Sequence, residues 1–316
     1  MNSIIYKEVN SETAEKFTEI MLQPEPFFVG RIGGLEFEVV AQYYNNNTHP
    51  KNLYADYIQQ ICHTCGYFDF TDSKQQNFMS FCQDMIRYYK DAKYLTYGNA
   101  LTINEINSGQ ILPEHVAFYN YVCDDKTLFI YTFIEAVVDF MKSFKIWGEG
   151  KKILIISPLS KSINYQLTRK DKILKNYTFP NCEFKTYNTK ITYNNMLIDT
   201  KETIRVTTNN FLEEVELIKN NIKDIDFDVA FLACAVYTMP LGDYISKTLQ
   251  KKAIYIGGIL NMFFSIYGNR FKEMYPYISN MEYLINPFEN DDINHLIGGR
   301  RHNNEALRAY FGKLGE

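Results

Sequence analysis

The sequence predicts an α/β protein with a Rossmann-like, largely parallel sheet covered by helices on both faces. Short apolar runs such as ILIIS at 153–157 are typical of parallel strands buried on both sides. Segments with helical spacing of apolar residues, such as 209–222, alternate with these runs. This alternation with short links implies right-handed crossovers. We interpret residues 1–316 as one domain, with a helical subregion at 45–92 and an irregular tail at 280–316.

The N-terminal half predicts several helices grouped around a first strand. Apolar residues at helical spacing predict a helix at 3–24, and Pro24 and Pro26 end it before an apolar strand at 27–32. The same reasoning predicts helices at 35–44, 52–65, 73–90 and 128–146, and a strand at 93–97.

The C-terminal half repeats the alternation of strand and helix. The strand at 153–157 is followed by Pro158 and then by a predicted helix at 160–175. The remaining patterns predict strands at 182–187, 229–234 and 253–256, and helices at 209–222 and 241–249.

Composition argues against two broad classes of protein. A net charge of −4 disfavours a nucleic-acid-binding protein, which needs a basic face. The N-terminus lacks a signal-peptide core, and no apolar run reaches the ~18–20 residues that a membrane-spanning helix requires. Cys62 and Cys65 form a CxxC late in a predicted helix, without the second pair of a zinc quartet. We therefore expect free thiols and a cytoplasmic protein, either free or peripheral to the membrane.

Four strand-to-helix junctions carry the residues suited to ligand binding. Ligands of open parallel sheets collect at the carboxyl ends of strands, where helix N-termini favour anions. The junctions are 31–38, which holds an arginine, glycines and acids; 157–162, rich in hydroxyls; 233–238; and 256–261, with two glycines. Each of the last three also has a structural interpretation, because glycines form tight turns and serines cap helices.

Arg31 differs from the other junction residues because it follows an apolar strand directly. Its charge must lie near the end of the sheet, where it needs an anionic partner. That partner is either Glu36 or Glu38 in an internal salt bridge, or the phosphate of a ligand. Residues alone leave both alternatives open.

Several catalytic signatures are absent from the sequence. There is no GxGxxG fingerprint, no Walker loop and no GxSxG elbow. The five histidines lack metal-ligand spacing with one another. The cluster Arg300-Arg301-His302 fits either a diphosphate clamp or a solvated tail.

The junction RIGGLE, residues 31–36, resembles the R-x-G-D-x-E signature of GT-D-type glycosyltransferases, which are Rossmann-like and use nucleotide sugars. Segment 226–264 resembles the C-terminal half of that family, and 153–166 resembles the middle strand of related polysaccharide-cluster proteins. Together the three stretches cover about a third of the chain.

The resemblance implies a donor site with a divalent metal, Mn²⁺ or Mg²⁺, held by the acids of D-x-E. Here Gly34 stands at the Asp position, while Glu36 stands at the Glu position. Two alternatives follow. Either the substrate supplies most of the metal ligands, with Glu38 or another acid assisting Glu36, or Arg31, Lys161 or Arg300 neutralises the diphosphate without a metal.

The resemblance therefore predicts transfer of a sugar from a nucleotide sugar to a saccharide, lipid-linked glycan or glycoprotein. Glu36 is the first candidate for catalysis and metal contact, and Asp243 is the second for catalysis. A solvated surface carboxylate is the alternative for Asp243. The residues expected to bind the donor are Arg31, Gly33, Gly34, Ser157, Ser160, Ser162, Tyr237, Gly257, Gly258 and Asn261.

Two other functions remain compatible with the residues. One is a non-catalytic nucleotide-binding protein of the same fold, as the loss of the acid at Gly34 suggests. The other is a transferase of a different group, such as pyruvyl or phosphoryl. The sequence does not specify donor, acceptor, stereochemistry or oligomeric state.

Overall fold

A computed structural model describes residues 13–32, 34–45, 53–97, 113–123, 127–130, 133–195, 197 and 199–287. Within these residues the protein has one sheet of seven strands, all parallel. Helices cover both faces of this sheet. The predicted α/β, Rossmann-like fold is confirmed.

The strands are short and lie in the order β3-β2-β1-β7-β6-β4-β5. Their bounds are β1 Phe28–Ile32, β2 Tyr94–Tyr97, β3 Thr127–Ile130, β4 Lys152–Ser157, β5 Glu183–Asn188, β6 Val229–Leu232 and β7 Lys252–Tyr255.

Strand β4 shows why apolar runs form the centre of this sheet. Leu154 and Ile156 belong to the core on one face, whereas Ile153 and Ile155 belong to the core on the other. All four side chains are fully buried. Because successive side chains of a strand point to opposite faces, a strand covered twice must be apolar at every position.

On the first face, the helices pack against Phe28, Leu154 and Leu232. These helices are α2 Gly34–Asn45, α3 Leu53–Cys65, α4 Lys74–Asp91, α5 Pro113–Cys123, α10 Phe211–Ile222 and α11 Thr238–Lys247.

On the second face, the helices pack against Val29, Ile153 and Phe231. They are α1 Thr13–Leu22, α6 Phe133–Trp147, α7 Ser160–Leu167, α8 Lys170–Ile173 and α12 Ile259–Phe263, followed by α13 Tyr275–Ile278. The remaining short elements are the helix α9 Lys201–Ile204 and the 3₁₀ turns Ala235–Tyr237, Asn269–Phe271 and Met281–Tyr283.

Two predicted helices differ from the structure. The apolar segment 128–146 begins as strand β3, which pairs in register with β2 from Tyr94↔Thr127 to Tyr97↔Ile130. A short apolar run has the same pattern in a buried strand and in a buried helix, so periodicity does not separate them. The predicted helix 160–175 is interrupted between Leu167 and Lys170.

No helix in the described part of the chain combines the length and the apolar character needed to cross a bilayer.

The connections leave β1 and β7 toward opposite faces, although the two strands are neighbours. Strand β1 runs into α2, whose residues Phe37 and Val40 lie in the core of the first face. Strand β7 runs into α12, whose residues Leu260 and Phe263 lie in the core of the second face. Such a reversal opens a crevice at the carboxyl ends of the two strands, where ligands of open α/β sheets bind.

Residues 189–194 form a buried segment that crosses from β5 toward α3; we call it the crossing segment. The Thr189 amide donates to the carbonyl of Ser157 (3.4 Å), at the end of β4. The Thr192 hydroxyl lies 2.9 Å from that of Tyr237, beyond β6. The Asn194 amide donates to the carbonyl of Cys62 (3.0 Å). The crossing segment therefore passes the carboxyl ends of β4 and β6 on its way to α3.

Candidate functional site

Arg31, which belongs to the first predicted junction at 31–38, lies next to the fourth junction at 256–261. Its guanidinium lies 5.6 Å from the ring centroid of Tyr255, the last residue of β7. A Cβ atom built on Gly257 would lie 2.8 Å from Nη1 of Arg31. Gly257 has a φ of +56°, a left-handed conformation that glycine adopts without steric cost. The half-buried cation is thus held against the turn that follows β7.

Arg31 forms no ion pair with a carboxylate among the described residues. The internal salt bridge with Glu36 or Glu38 that the sequence left open is therefore not formed. Contact with the Tyr255 ring offsets part of the cost of keeping the charge half-buried. The guanidinium retains its capacity to bind a carboxylate or a phosphate in a bidentate manner.

Glu36 lies in the first turn of α2 and shares its surroundings with Arg31. Burial raises the pKa of Tyr89 far above its usual range, and Glu36 raises it further while Arg31 lowers it. Burial likewise raises the pKa of the Cys65 thiol, with the Glu36 carboxylate next in effect. The charges and polar groups of Glu36, Arg31, Tyr255 and Cys65 thus all act electrostatically on Tyr89.

Tyr89 is a site residue that the sequence did not reveal. It is 1% exposed, and its hydroxyl makes no hydrogen bond with any described residue. It lies within the long helix α4, far in sequence from any junction, where an aromatic residue is typical of the core. Tyr255 carried a weak signal, because it stands directly before the predicted turn at 256–261.

Asn261 lies one turn beyond the glycines of the fourth junction. It is 7% exposed, and its side-chain amide makes no hydrogen bond within the described chain. Its backbone amide donates to the carbonyl of Gly258 (3.1 Å), which closes the turn. Of the residues expected to bind the donor, Arg31, Gly257, Gly258 and Asn261 thus lie at the β1–β7 crevice.

Gly34 begins α2, directly after β1, whereas Gly33 lies outside the described residues. Arg300, the second alternative cation, and its neighbours Arg301 and His302 also lie outside them. Lys161 follows β4 and is exposed.

The serines of the second junction are not brought to Arg31. Strands β7 and β6 lie between β1 and β4, which corresponds to about 14 Å at the usual strand spacing. Ser160 donates to Oδ1 of Asn188 (2.8 Å), and the Ser157 hydroxyl accepts from the Leu159 amide (3.1 Å). Ser162 is fully buried. The Ser157 and Ser160 hydroxyls therefore have local partners, and strand order separates this junction from Arg31.

Tyr237, at the third junction, is part of the core. It is 2% exposed and stacks on Phe211, with ring centroids 5.1 Å apart. Its hydroxyl pairs with Thr192 of the crossing segment. Contact with a base or a sugar, as expected from the sequence, would require displacement of that segment.

Asp243 lies near the amino ends of the strands, whereas Glu36 lies near their carboxyl ends. It forms ion pairs with Lys247 (2.7 Å) and Arg87 (3.6 Å), and it lines a cavity of about 300 Å³ beside Phe27 and Phe28, at the amino end of β1. Chain direction places the middle of α11 far from the carboxyl ends of the strands, so the structure does not bring Asp243 together with Glu36, and its ion pairs fit the surface-carboxylate alternative.

The described residues do not fit a divalent metal held by the protein. No group of three or more His, Cys, Asp or Glu lies close enough together within them to hold an ion. Mg²⁺ and Mn²⁺ prefer several oxygen ligands. Glu38 stands two positions after Glu36 on the same helix. Burial, and then the charge of Glu36, raise the pKa of Glu38.

Comparisons of the chain with protein-family models, curated proteins and solved structures found no match. Fold and site together define an open, all-parallel α/β protein. Its β1–β7 crevice carries an arginine with no acidic partner among the described residues.

Proposed function

We propose that the β1–β7 crevice binds the diphosphate of a nucleotide sugar and that the protein is a glycosyltransferase. The observation that carries the proposal is the position of Arg31, a half-buried cation held against Tyr255 and Gly257 without a described carboxylate partner. Arginine binds phosphate through two parallel hydrogen bonds, and the N-terminus of α2 adds favourable partial charge beside it. The resemblance of residues 31–36 to the GT-D signature supports the same ligand.

The chemistry assigns different tasks to Arg31 and Glu36. During transfer, the bond between the anomeric carbon and the β-phosphate oxygen breaks, and negative charge develops on the diphosphate. Arg31 stabilises that charge. An acceptor hydroxyl attacks the anomeric carbon, and Glu36 takes the proton that this hydroxyl releases. The acceptor is a saccharide, a lipid-linked glycan or a glycoprotein.

A panel of nucleoside diphosphates and nucleotide sugars tests the proposal by calorimetry and by release of free sugar. We expect micromolar to millimolar binding of at least one diphosphate, weakened about tenfold to a hundredfold by Arg31→Ala, because a charge-assisted hydrogen bond contributes about 1.5–3 kcal/mol. Arg270→Ala is the matched control, since this exposed arginine stacks on Phe271 away from the crevice. No response to any nucleotide, or equal binding by Arg31→Ala and wild type, would contradict the proposal.

A non-catalytic nucleotide-binding protein of this fold is the second candidate. Gly34 favours it, because the acid of the resembled signature is missing there. Glu36→Ala separates the two functions. If the variant binds nucleotide like wild type but loses sugar transfer, Glu36 is catalytic; if wild type binds nucleotide and transfers nothing to any acceptor, the second candidate holds.

A further inference from the structure

We infer that the fixed cation of Arg31 neutralises the departing diphosphate and that the protein contributes no divalent metal site, an inference that rests on the proposed function. The resembled signature pairs two acids for a metal, whereas this chain has Gly34 and Glu36. The inference concerns which cation balances the negative charge of the diphosphate in the β1–β7 crevice, a protein side chain or a metal ion.

The surroundings of Glu36 are unsuited to a hard cation. Its neighbours are the buried Cys65 thiol and the ring of Tyr89. A protonated thiol and an aromatic ring are poor ligands for Mg²⁺ or Mn²⁺, which select carboxylate, carbonyl and water oxygens. A single carboxylate would leave nearly the whole coordination shell to the substrate and to water.

Arg31 already supplies positive charge at this place. Arg31 lies in β1 and Glu36 in the first turn of α2, five residues later, so both belong to one strand-to-helix junction, and both charges act on Tyr89. A divalent cation held at Glu36 would be repelled by the Arg31 guanidinium of the same junction. The guanidinium itself stays charged at every physiological pH and is oriented by Tyr255 and Gly257. An oriented cation stabilises developing charge without reorganisation during the reaction.

Gly34 provides a direct way to test whether the Arg31 guanidinium takes the place of a divalent metal ion. It occupies the first position of α2, where an aspartate is favourable for the helix, so Gly34→Asp is compatible with folding. The substitution restores the second acid of the signature next to Glu36. We expect Gly34→Asp to acquire a response to Mn²⁺ that wild type lacks.

The experiment measures binding of the tightest nucleoside diphosphate of the panel in EDTA and in MnCl₂. Wild type should bind equally in both buffers, within about threefold, and should release sugar from the corresponding nucleotide sugar at similar rates. Arg31→Ala should lose binding in EDTA. Gly34→Asp should bind about tenfold more tightly in MnCl₂ than in EDTA. Circular dichroism checks that both variants are folded.

The outcomes separate this inference from the proposed function. Nucleotide binding by wild type that disappears in EDTA overturns the inference and leaves the proposed function standing. Failure of Gly34→Asp to respond to Mn²⁺ also counts against it, because the missing acid would then not be what excludes the metal. Absence of nucleotide binding in both buffers overturns the proposed function itself.

Discussion

A methyl group on Gly257 would lie 2.8 Å from Nη1 of Arg31, so a side chain at this turn would shift the guanidinium from its position. The same residue has a left-handed φ of +56°. The close contact affects the position of Arg31 and hence ligand binding, whereas the left-handed backbone affects the stability of the fold.

Gly257→Ala should therefore lower both stability and nucleotide affinity. The left-handed conformation should lower the free energy of unfolding by about 1–2 kcal/mol. Displacement of Arg31 should weaken diphosphate binding about tenfold. Gly150 is a matched control, since it has a φ of +70° and nothing within 4 Å of an added Cβ. Gly150→Ala should show a similar stability loss and unchanged binding. Equal affinity of both variants for the diphosphate would contradict the role given to Gly257.

Gly242→Ala should destabilise the protein although alanine is the better helix former. The added Cβ would lie 2.2–2.4 Å from three atoms of the Phe28 ring. Overpacking of this size costs about 1–3 kcal/mol, which exceeds the gain in helix propensity of about 1 kcal/mol. Urea unfolding of Gly242→Ala, with and without Phe28→Leu, measures the effect. A variant more stable than wild type would show that α11 and β1 are not in close contact.

Thr192→Val should loosen the crossing segment. The Thr192 hydroxyl donates to the Gly66 carbonyl (2.5 Å), so the Tyr237 hydroxyl must be the donor in their contact of 2.9 Å. Valine leaves both partners buried and unpaired, which should cost about 2 kcal/mol. Tyr237→Phe removes one of the two bonds and should cost about 1 kcal/mol. The double variant should cost less than the sum of the single variants, because the bond between the two residues is counted twice.

Glu213→Gln should lower stability at neutral pH and have no effect in acid. The Asn209 amide donates to Glu213 (2.7 Å) at the start of α10, and this bond lowers the pKa of the carboxyl below its usual value. A carboxyl with a lowered folded-state pKa stabilises the protein above its unfolded-state value. That contribution is lost as the pH falls through the folded-state value. We expect a loss of about 0.3–1 kcal/mol at pH 7 that vanishes once the pH lies below the folded-state pKa of Glu213.

Glu216 provides the control for that prediction. It lies on the same helix, is exposed and pairs with Lys219 at 2.7 Å. Glu216→Gln should change the unfolding free energy by less than about 0.5 kcal/mol. If the difference in unfolding free energy between wild type and Glu213→Gln persisted in acid, the stabilising role given to the Glu213 carboxylate would be wrong.

Local pattern was sufficient to predict most of the sheet. The predicted strand at 153–157 and the predicted helix at 209–222 match β4 and α10 closely, because burial on two faces or on one helical stripe imposes a periodicity that is visible in the residues. The pattern failed at 128–130, which belongs to the four-residue strand β3; four positions are too few to separate the period of a strand from that of a helix.

The position of each strand-to-helix junction in the chain was predictable, but which junctions lie next to each other in space was not. Each junction follows from a strand end and a helix start, both of which are local. Strand order decides which junctions meet, and that order depends on pairing between distant segments. Order β3-β2-β1-β7-β6-β4-β5 brings Arg31 to Gly257 and separates it from Ser160 by two strands.

The sequence by itself determined the α/β class, the strand ends and the presence of a cation where β1 gives way to α2. Tertiary structure alone decided that Arg31 lies over Tyr255 and forms no ion pair with Glu36. It also placed Asp243 near the amino ends of the strands and brought the buried Tyr89 under the influence of Arg31 and Glu36. The reason is physical. Periodicity and turn chemistry act over a few residues, whereas the partner of a charge is selected by packing across the whole sheet.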